Sequence, residues 1–266
     1  MYETNYHRAE SLADAAAKMG GAEDAKYLSG GHTLIPTMKQ RLAAPSDLID
    51  LTGIEAMRGI DVDGKKVRIG ALTTHAEVNA SDALRQVCHS LAEMGGWIGD
   101  PAVRHRGTVG GSIANNDPAA DYPSAMVALN ATIHTDRREV PADEFFTGMF
   151  ETALEEGEIV TAVSFTAPER CAYEKFRNPA SRYAMAGVFI ADHGGGNVRV
   201  GITGAYSDGV TRHTGMEEAL SANFSADAIA DAEVDAGELL SDIHGSAEYR
   251  ANLVKVMAKR AVSKAH

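Results

Sequence analysis

Only two cysteines occur among the 266 residues, Cys88 and Cys171, and they lie far apart in the chain. An iron–sulfur cluster ordinarily needs four thiolates, so any such redox metal must sit in another chain. A disulfide is not expected in a reducing compartment, and both thiols read as buried packing residues. Long apolar runs are missing as well: nothing approaches the roughly 18 residues that span a bilayer. Met1-Tyr2-Glu3-Thr4-Asn5 lacks the basic and apolar regions of an export signal. A cytoplasmic location is therefore expected, with association at the inner face of a membrane as its variant. Positive charge is scarce, with 25 Lys and Arg against 37 Asp and Glu and a net charge of −12. That balance excludes a nucleic-acid partner, which needs clustered cations. No dinucleotide-binding G-x-G-x-x-G, phosphate-loop lysine, internal repeat or low-complexity tract is present. No Ser-His-Asp or Cys-His grouping is visible, and His75 and His105, which lack metal-ligand spacing, read as surface or supporting residues.

What the chain does have is two glycine pairs, Ser29-Gly30-Gly31-His32-Thr33 and Thr108-Val109-Gly110-Gly111-Ser112. Adjacent glycines permit positive φ and a close backbone approach. Successive amides in such a turn form a concave anion site. Either pair alone reads most simply as a tight turn. Two matched loops suggest a clamp for the two phosphates of a dinucleotide, with the hydroxyls of Thr33, Thr108 and Ser112 as auxiliary donors.

The coarse pattern is α+β. Residues 1–55 read as a compact first lobe. It holds a helix from Leu12 to Met19 capped by Ser11, a strand Lys26–Leu28, a helical or turn-like Leu34–Leu42 and a buried strand Leu48–Leu51. Residues 56–167 form a second lobe, opening with a hairpin around Asp63-Gly64. A helical region starts at Thr73 or Thr74, and Ser81 to Met94 continues it with Leu84, Val87, Leu91 and Met94 on one face. Asp100 to Asp121 is a long polar run between helices, of the kind that is usually functional. Asp121 could cap the helix from Pro123 to Leu129, or accept a hydrogen bond from a ligand. A seam near Ala167-Pro168 separates residues 168–266, read as a small antiparallel sheet with helices, the last running from Glu248 to about Lys264.

Ser29-Gly30-Gly31-His32-Thr33-Leu34-Ile35-Pro36 resembles the first flavin motif of the medium, FAD-binding subunits of molybdenum hydroxylases, the group of aerobic carbon monoxide dehydrogenase and xanthine dehydrogenase. Thr108-Val109-Gly110-Gly111-Ser112-Ile113-Ala114 resembles the second. The similarity continues through Asp117-Pro118-Ala119-Ala120-Asp121, Phe145-Phe146-Thr147-Gly148, Tyr173-Glu174-Lys175-Phe176 and Arg182-Tyr183-Ala184. It spans essentially the whole chain. Ser29 stands where the family usually has Ala, and Thr33 where it has Ser.

The resemblance implies a two-lobed FAD-binding domain of the vanillyl-alcohol-oxidase or PCMH type over residues 1–167, followed by the family's C-terminal domain. It implies non-covalent FAD held by Ser29, Gly30, Gly31, His32, Thr33 and Leu34 and by Thr108, Val109, Gly110, Gly111 and Ser112. Ile98, Asp121 and Ile159 match further cofactor contacts, and Lys175 and Tyr183 lie where relatives approach the isoalloxazine. No side chain is assigned a catalytic role. The implied partners are a small subunit with [2Fe-2S] clusters and a large subunit with the molybdenum cofactor, together a dimer of heterotrimers. Electrons would pass to FAD here and then to an external acceptor. The alternatives are a stand-alone FAD-dependent oxidase or dehydrogenase, and a non-catalytic flavin-binding module.

Overall fold

The computed structural model describes residues 1–266. β1 (Asn5–Arg8) and β2 (Ala25–Leu28) flank the buried β3 (Asp47–Asp50) in a parallel three-stranded sheet. Parallel pairing requires crossovers, here α1 (Leu12–Gly20) and a longer return through α2 (Leu34–Lys39). The Ser11 hydroxyl caps α1 by accepting the Asp14 amide at 3.1 Å. β2 ends where the first glycine pair begins.

β4 (Ile60–Asp63) and β5 (Lys66–Gly70) make the expected hairpin, and Gly64 takes the left-handed conformation that this turn demands. They join β6 (Thr132–Thr135), β7 (Glu139–Pro141) and β10 (Val160–Thr166) in an antiparallel sheet of order β4-β5-β10-β6-β7. Val67 and Ile69 point inward while Lys66 and Arg68 stay exposed, the period-two pattern of a one-sided sheet. Between β5 and β6 lie α3 (His75–Ala80), α4 (Asp82–Val87), α5 (His89–Gly96), α6 (Pro101–Arg104), α7 (Val109–Asn115) and α8 (Tyr122–Ala128). The short α9 (Ala142–Phe145) and the hairpin of β8 (Phe146–Gly148) and β9 (Glu151–Thr152) precede β10.

Two expectations change here. Ser81 to Met94 is not one helix: the chain breaks at Cys88, at φ −151°, ψ 69°, and its buried thiol turns toward the C-terminal sheet. The Asp100–Asp121 run is not irregular either, because Asp100 and Thr108 each cap a short helix.

The C-terminal sheet is antiparallel, in the order β11 (Arg170–Arg177), β12 (Ala184–Asp192), β13 (Val198–Thr203) and β14 (Thr211–Arg212). β12 is buried at every position because both faces are covered. Ala172, Val188 and Ile190 face a core shared with α10 (Thr214–Ala222) and with Leu253, Val254 and Met257 of α11 (Ala247–Lys264). Cys171, Tyr173, Phe189 and Ala191 join instead the larger core of the preceding residues. Burial of each large side chain of this kind contributes about 1.5–3 kcal/mol, so the sheet is welded to what precedes it.

Candidate cofactor site

The chain from β2 passes through Ser29 to Thr33 without making a regular element and enters α2 at Leu34. None of the six amides from Ser29 to Leu34 donates to an acceptor within the chain. Gly31, at φ +72°, turns them. Unsatisfied backbone donors are costly unless water or a ligand accepts them, and a row of them in a turn is an anion cradle. The His32 ring is exposed, and its Nδ1 donates back to the Gly30 carbonyl at 3.1 Å.

The second glycine pair works differently from the expectation. It is the first turn of α7, and its amides are already used. Those of Val109 and Gly110 donate to Thr73 and Ala71 carbonyls at 3.0 and 2.9 Å, and that of Gly111 to Thr108 Oγ1 at 3.1 Å. A Cβ on Gly110 would lie 2.5 Å from the Ala71 Cβ, so this glycine serves protein packing. Gly30 is similar: a Cβ there would lie 2.2 Å from the Arg106 carbonyl oxygen. The glycines bring the two stretches against each other, and the Thr108 hydroxyl completes the junction by donating to Ser29 Oγ at 3.2 Å. With that acceptor role filled, the Ser29 hydroxyl proton remains free to donate.

Both stretches open onto one cavity of about 1090 Å³. That is at the upper end of the roughly 300–1,000 Å³ usual for small-molecule sites. Ser29, Gly30, Gly31, His32, Thr33 and Leu34 line it, and so do Thr108, Gly110, Gly111, Ser112, Ile98, Asp121, Ile159 and Tyr183. Two expected residues do not. Val109 is fully buried in the first turn of α7, and Lys175 is buried behind the wall. The Lys175 ammonium reaches both carboxylate oxygens of Asp121 at 2.9 Å. Tyr173 donates its hydroxyl to the same carboxylate, and burial, reinforced by the Asp121 charge, holds that phenol protonated by raising its pKa. Asp121 therefore does not cap α8. It is fixed from behind by two side chains of β11. Tyr183, by contrast, stands 58% exposed on the loop between β11 and β12, which also brings Ala180 to Arg182 to the rim.

Sequence reasoning missed Glu158, and His75, read as a surface or supporting residue, is buried on the cavity wall. His75 is 4% exposed, stacks on Tyr122 with ring centroids 5.3 Å apart and lines the cavity. Burial first, then the charges of His32 and Arg104, depresses its pKa to about 4, so it is a neutral imidazole. Its Nδ1 has no hydrogen-bond partner. Glu158 is held by Arg138 through two 3.0 Å contacts, and this pairing lowers its pKa to about 2. The capping box of Thr74 and Glu77 could have flagged His75 as the first residue of a helix, but burial came from the third dimension. His105 is exposed, as read.

One Ser-His-acid grouping does exist, contrary to expectation. His134 Nε2 lies 2.7 Å from Ser164 Oγ, and its Nδ1 3.2 Å from a Glu139 carboxylate oxygen. The three sit on β10, β6 and β7, and Ser164 is paired on both sides, with Arg68 and Thr132. A mid-sheet serine has no turn beside it to present an oxyanion hole, and the grouping reads as a cross-strand polar cluster. No cluster of metal-ligating side chains is formed anywhere, and no helix is long and apolar enough to cross a membrane.

Residues 2–168 match the family model described as the FAD binding domain in molybdopterin dehydrogenase. The carbon monoxide dehydrogenase medium chain of Hydrogenophaga pseudoflava is 36% identical over 275 residues, covering 98% of this chain and 96% of that one. The nicotine 6-hydroxylase medium subunit of Paenarthrobacter nicotinovorans is 34% identical, again over 98% of this chain and 96% of its own length. Among solved structures, reconstituted carbon monoxide dehydrogenase from Oligotropha carboxidovorans superposes with a TM-score of 0.89 at 34% identity, covering 99% of this chain and 97% of that one.

Proposed function

We infer the role of this chain from one premise: it belongs to the family of FAD-binding domains of molybdopterin dehydrogenases, and so is an oxidoreductase subunit. We propose that it holds one FAD, non-covalently, in the cavity between the two glycine stretches. The observation that carries this is the row of six unengaged amides from Ser29 to Leu34 on the cavity wall. Such a row of free donors suits the oxygens of a pyrophosphate, and the Ser29 hydroxyl adds a donor. Thr108, Gly110, Gly111 and Ser112 form the facing wall, with Ile98 and Ile159 as apolar surface. Asp121 would accept from a hydroxyl or ring N–H, its carboxylate held still by Tyr173 and Lys175. Tyr183 stands at the open rim. The exposed His32 is tied back to Gly30, which favours non-covalent binding.

When bound, FAD would supply the redox chemistry, a relay from the [2Fe-2S] clusters of a small subunit to an external acceptor. A large subunit would carry the molybdenum cofactor and choose the substrate, the whole forming a dimer of heterotrimers in the cytoplasm. With two cysteines, this chain relies on such a partner for its clusters. Residues 1–167 would be the cofactor domain, and residues 168–266 the domain that braces it.

Co-expression with the neighbouring subunit genes and purification of untagged partners tests the reading. The expected complex contains molybdenum, iron and FAD, and loses flavin when this chain is omitted. A lone chain that reduces its flavin with an organic substrate would replace the reading with a self-sufficient dehydrogenase. A lone chain whose flavin responds only to dithionite would make it a binding module.

A further inference from the structure

Cys88 and Cys171, 83 residues apart, meet in the interior with their sulfurs 3.6 Å apart. Cys88 stands at the break between α4 and α5, and Cys171 on β11, so the pair spans the contact between the helices of the flavin-binding segment and the C-terminal sheet. Both are nearly inaccessible, at 1% and 3% exposure. Neither touches the cavity, and nothing in the proposed electron transfer uses them. Two thiols buried for packing alone would not need to face each other. Here each is the other's hydrogen-bonding partner, and Ser90 fastens the spot by donating to the Cys171 carbonyl at 2.9 Å.

We propose that Cys88 and Cys171 are an oxidation site that closes, under peroxide, into a disulfide stapling α5 to β11. The two sulfurs are unequal in a way that suits the chemistry. The contact between the sulfurs, with the Ser90 hydroxyl and amide and the charge of His266 beside it, lowers the Cys171 pKa, whereas Cys88 is pushed upward by that contact and by burial. Thiolate character selects Cys171 as the sulfur that meets the oxidant. Its thiolate attacks one oxygen of the hydroperoxide, the O–O bond breaks, and hydroxide or alkoxide leaves with a sulfenic acid remaining on Cys171. The Cys88 sulfur then attacks the sulfenic sulfur. The S–S bond forms, the S–O bond breaks, and the departing hydroxide takes the Cys88 proton as water. With hydrogen peroxide, two thiols and one peroxide give one disulfide and two waters.

The sulfurs must close from 3.6 Å to the roughly 2.05 Å of a disulfide. The break at Cys88 is non-helical, so the motion need not distort a regular helix. Access is limited by the burial of both thiols, at 1% and 3% exposure. His266 packs against His89 with centroids 5.3 Å apart and the rings tilted by 48°, and its carbonyl accepts the Cys171 amide at 3.3 Å. Oxidation should therefore be slow relative to that of an exposed thiol, and small oxidants should outpace bulky ones.

The test uses the wild-type protein as isolated, with its flavin and any partners. After graded hydrogen peroxide, it is denatured, alkylated and weighed, and its peptides are mapped. The expected result is loss of both alkylatable thiols together, a chain lighter by two hydrogens, and a linked peptide containing Cys88 and Cys171. Reductant should restore both thiols. The closed form should unfold about 5–10 °C higher, because the cross-link restricts the unfolded chain. In Cys88→Ser the sulfenic acid has no resolving partner and should be trapped on Cys171 by dimedone. Independent oxidation of the two thiols, a sulfinic acid on Cys171 with Cys88 still free, or links only between different chains would each overturn the proposal. The wild-type readout stands whether or not the serine variant folds.

Discussion

Asp121 is a carboxylate that depends on its neighbours. At 6% exposure it is tolerable only because Lys175 and Tyr173 neutralise and bond it. Replacing Lys175 by Met should cost about 3–5 kcal/mol in denaturant unfolding, since it strands a buried charge. Adding Asp121→Asn to that variant should recover a large part of the loss, and non-additivity in the double-mutant cycle is the readout. His75 gives a pH prediction of definite sign. Its folded pKa of about 4 lies below the ordinary value, so the unfolded chain binds the proton more readily. Stability is then full above about pH 6.5 and falls as pH drops toward 4, by about 3 kcal/mol from this group. In His75→Leu the slope of unfolding free energy against pH should flatten across that interval. An unchanged slope would show that the imidazole titrates normally. Glu158, held by Arg138 near 2, adds its own loss only at lower pH, beginning below about 4.5.

At the scale of elements, the junction between the two glycine stretches depends on one hydroxyl. Thr108 Oγ1 accepts from Gly111 and donates to Ser29, capping α7 and bridging to the first loop in a single group. Thr108→Ala should lose about 1–2 kcal/mol as a capping loss and weaken FAD retention through the loosened loop. Thr108→Ser should keep both, which equilibrium unfolding and flavin content per chain will show. Gly110→Ala is a different experiment: its Cβ would strike Ala71, so folding yield should fall before cofactor affinity can be measured. The motifs themselves were legible, because Gly-Gly beside a hydroxyl is a local pattern. Their division of labour was not. Whether an amide is free depends on which carbonyl lies opposite, and Ala71 and Thr73 approach α7 only once β5 and α3 have packed. Lys175 illustrates the same limit: the resemblance placed it with Tyr183 near the isoalloxazine, yet its ammonium is buried against Asp121.

At the scale of the molecule, bound FAD should stabilise the whole chain by mass action. At a hundredfold excess over its dissociation constant it adds about 2.7 kcal/mol. The C-terminal sheet should unfold in the same transition, since Tyr173 and Phe189 share the core of the flavin-binding segment. A calorimetric scan that resolves two transitions, with only one moving on FAD addition, would contradict that coupling. The sequence by itself determined the capped helix α1, the β4–β5 hairpin and the two glycine motifs, since helix caps, the Asp63-Gly64 turn and the alternation of β5 act over a few residues. It also determined that this chain lacks the four thiolates of an iron–sulfur cluster, which follows from counting cysteines. Only the tertiary structure decided which glycine stretch keeps its amides, that Asp121 is braced from β11, and that the two cysteines touch. Each of these is a contact between residues tens of positions apart, and local chemistry does not specify who meets whom until the cores have closed.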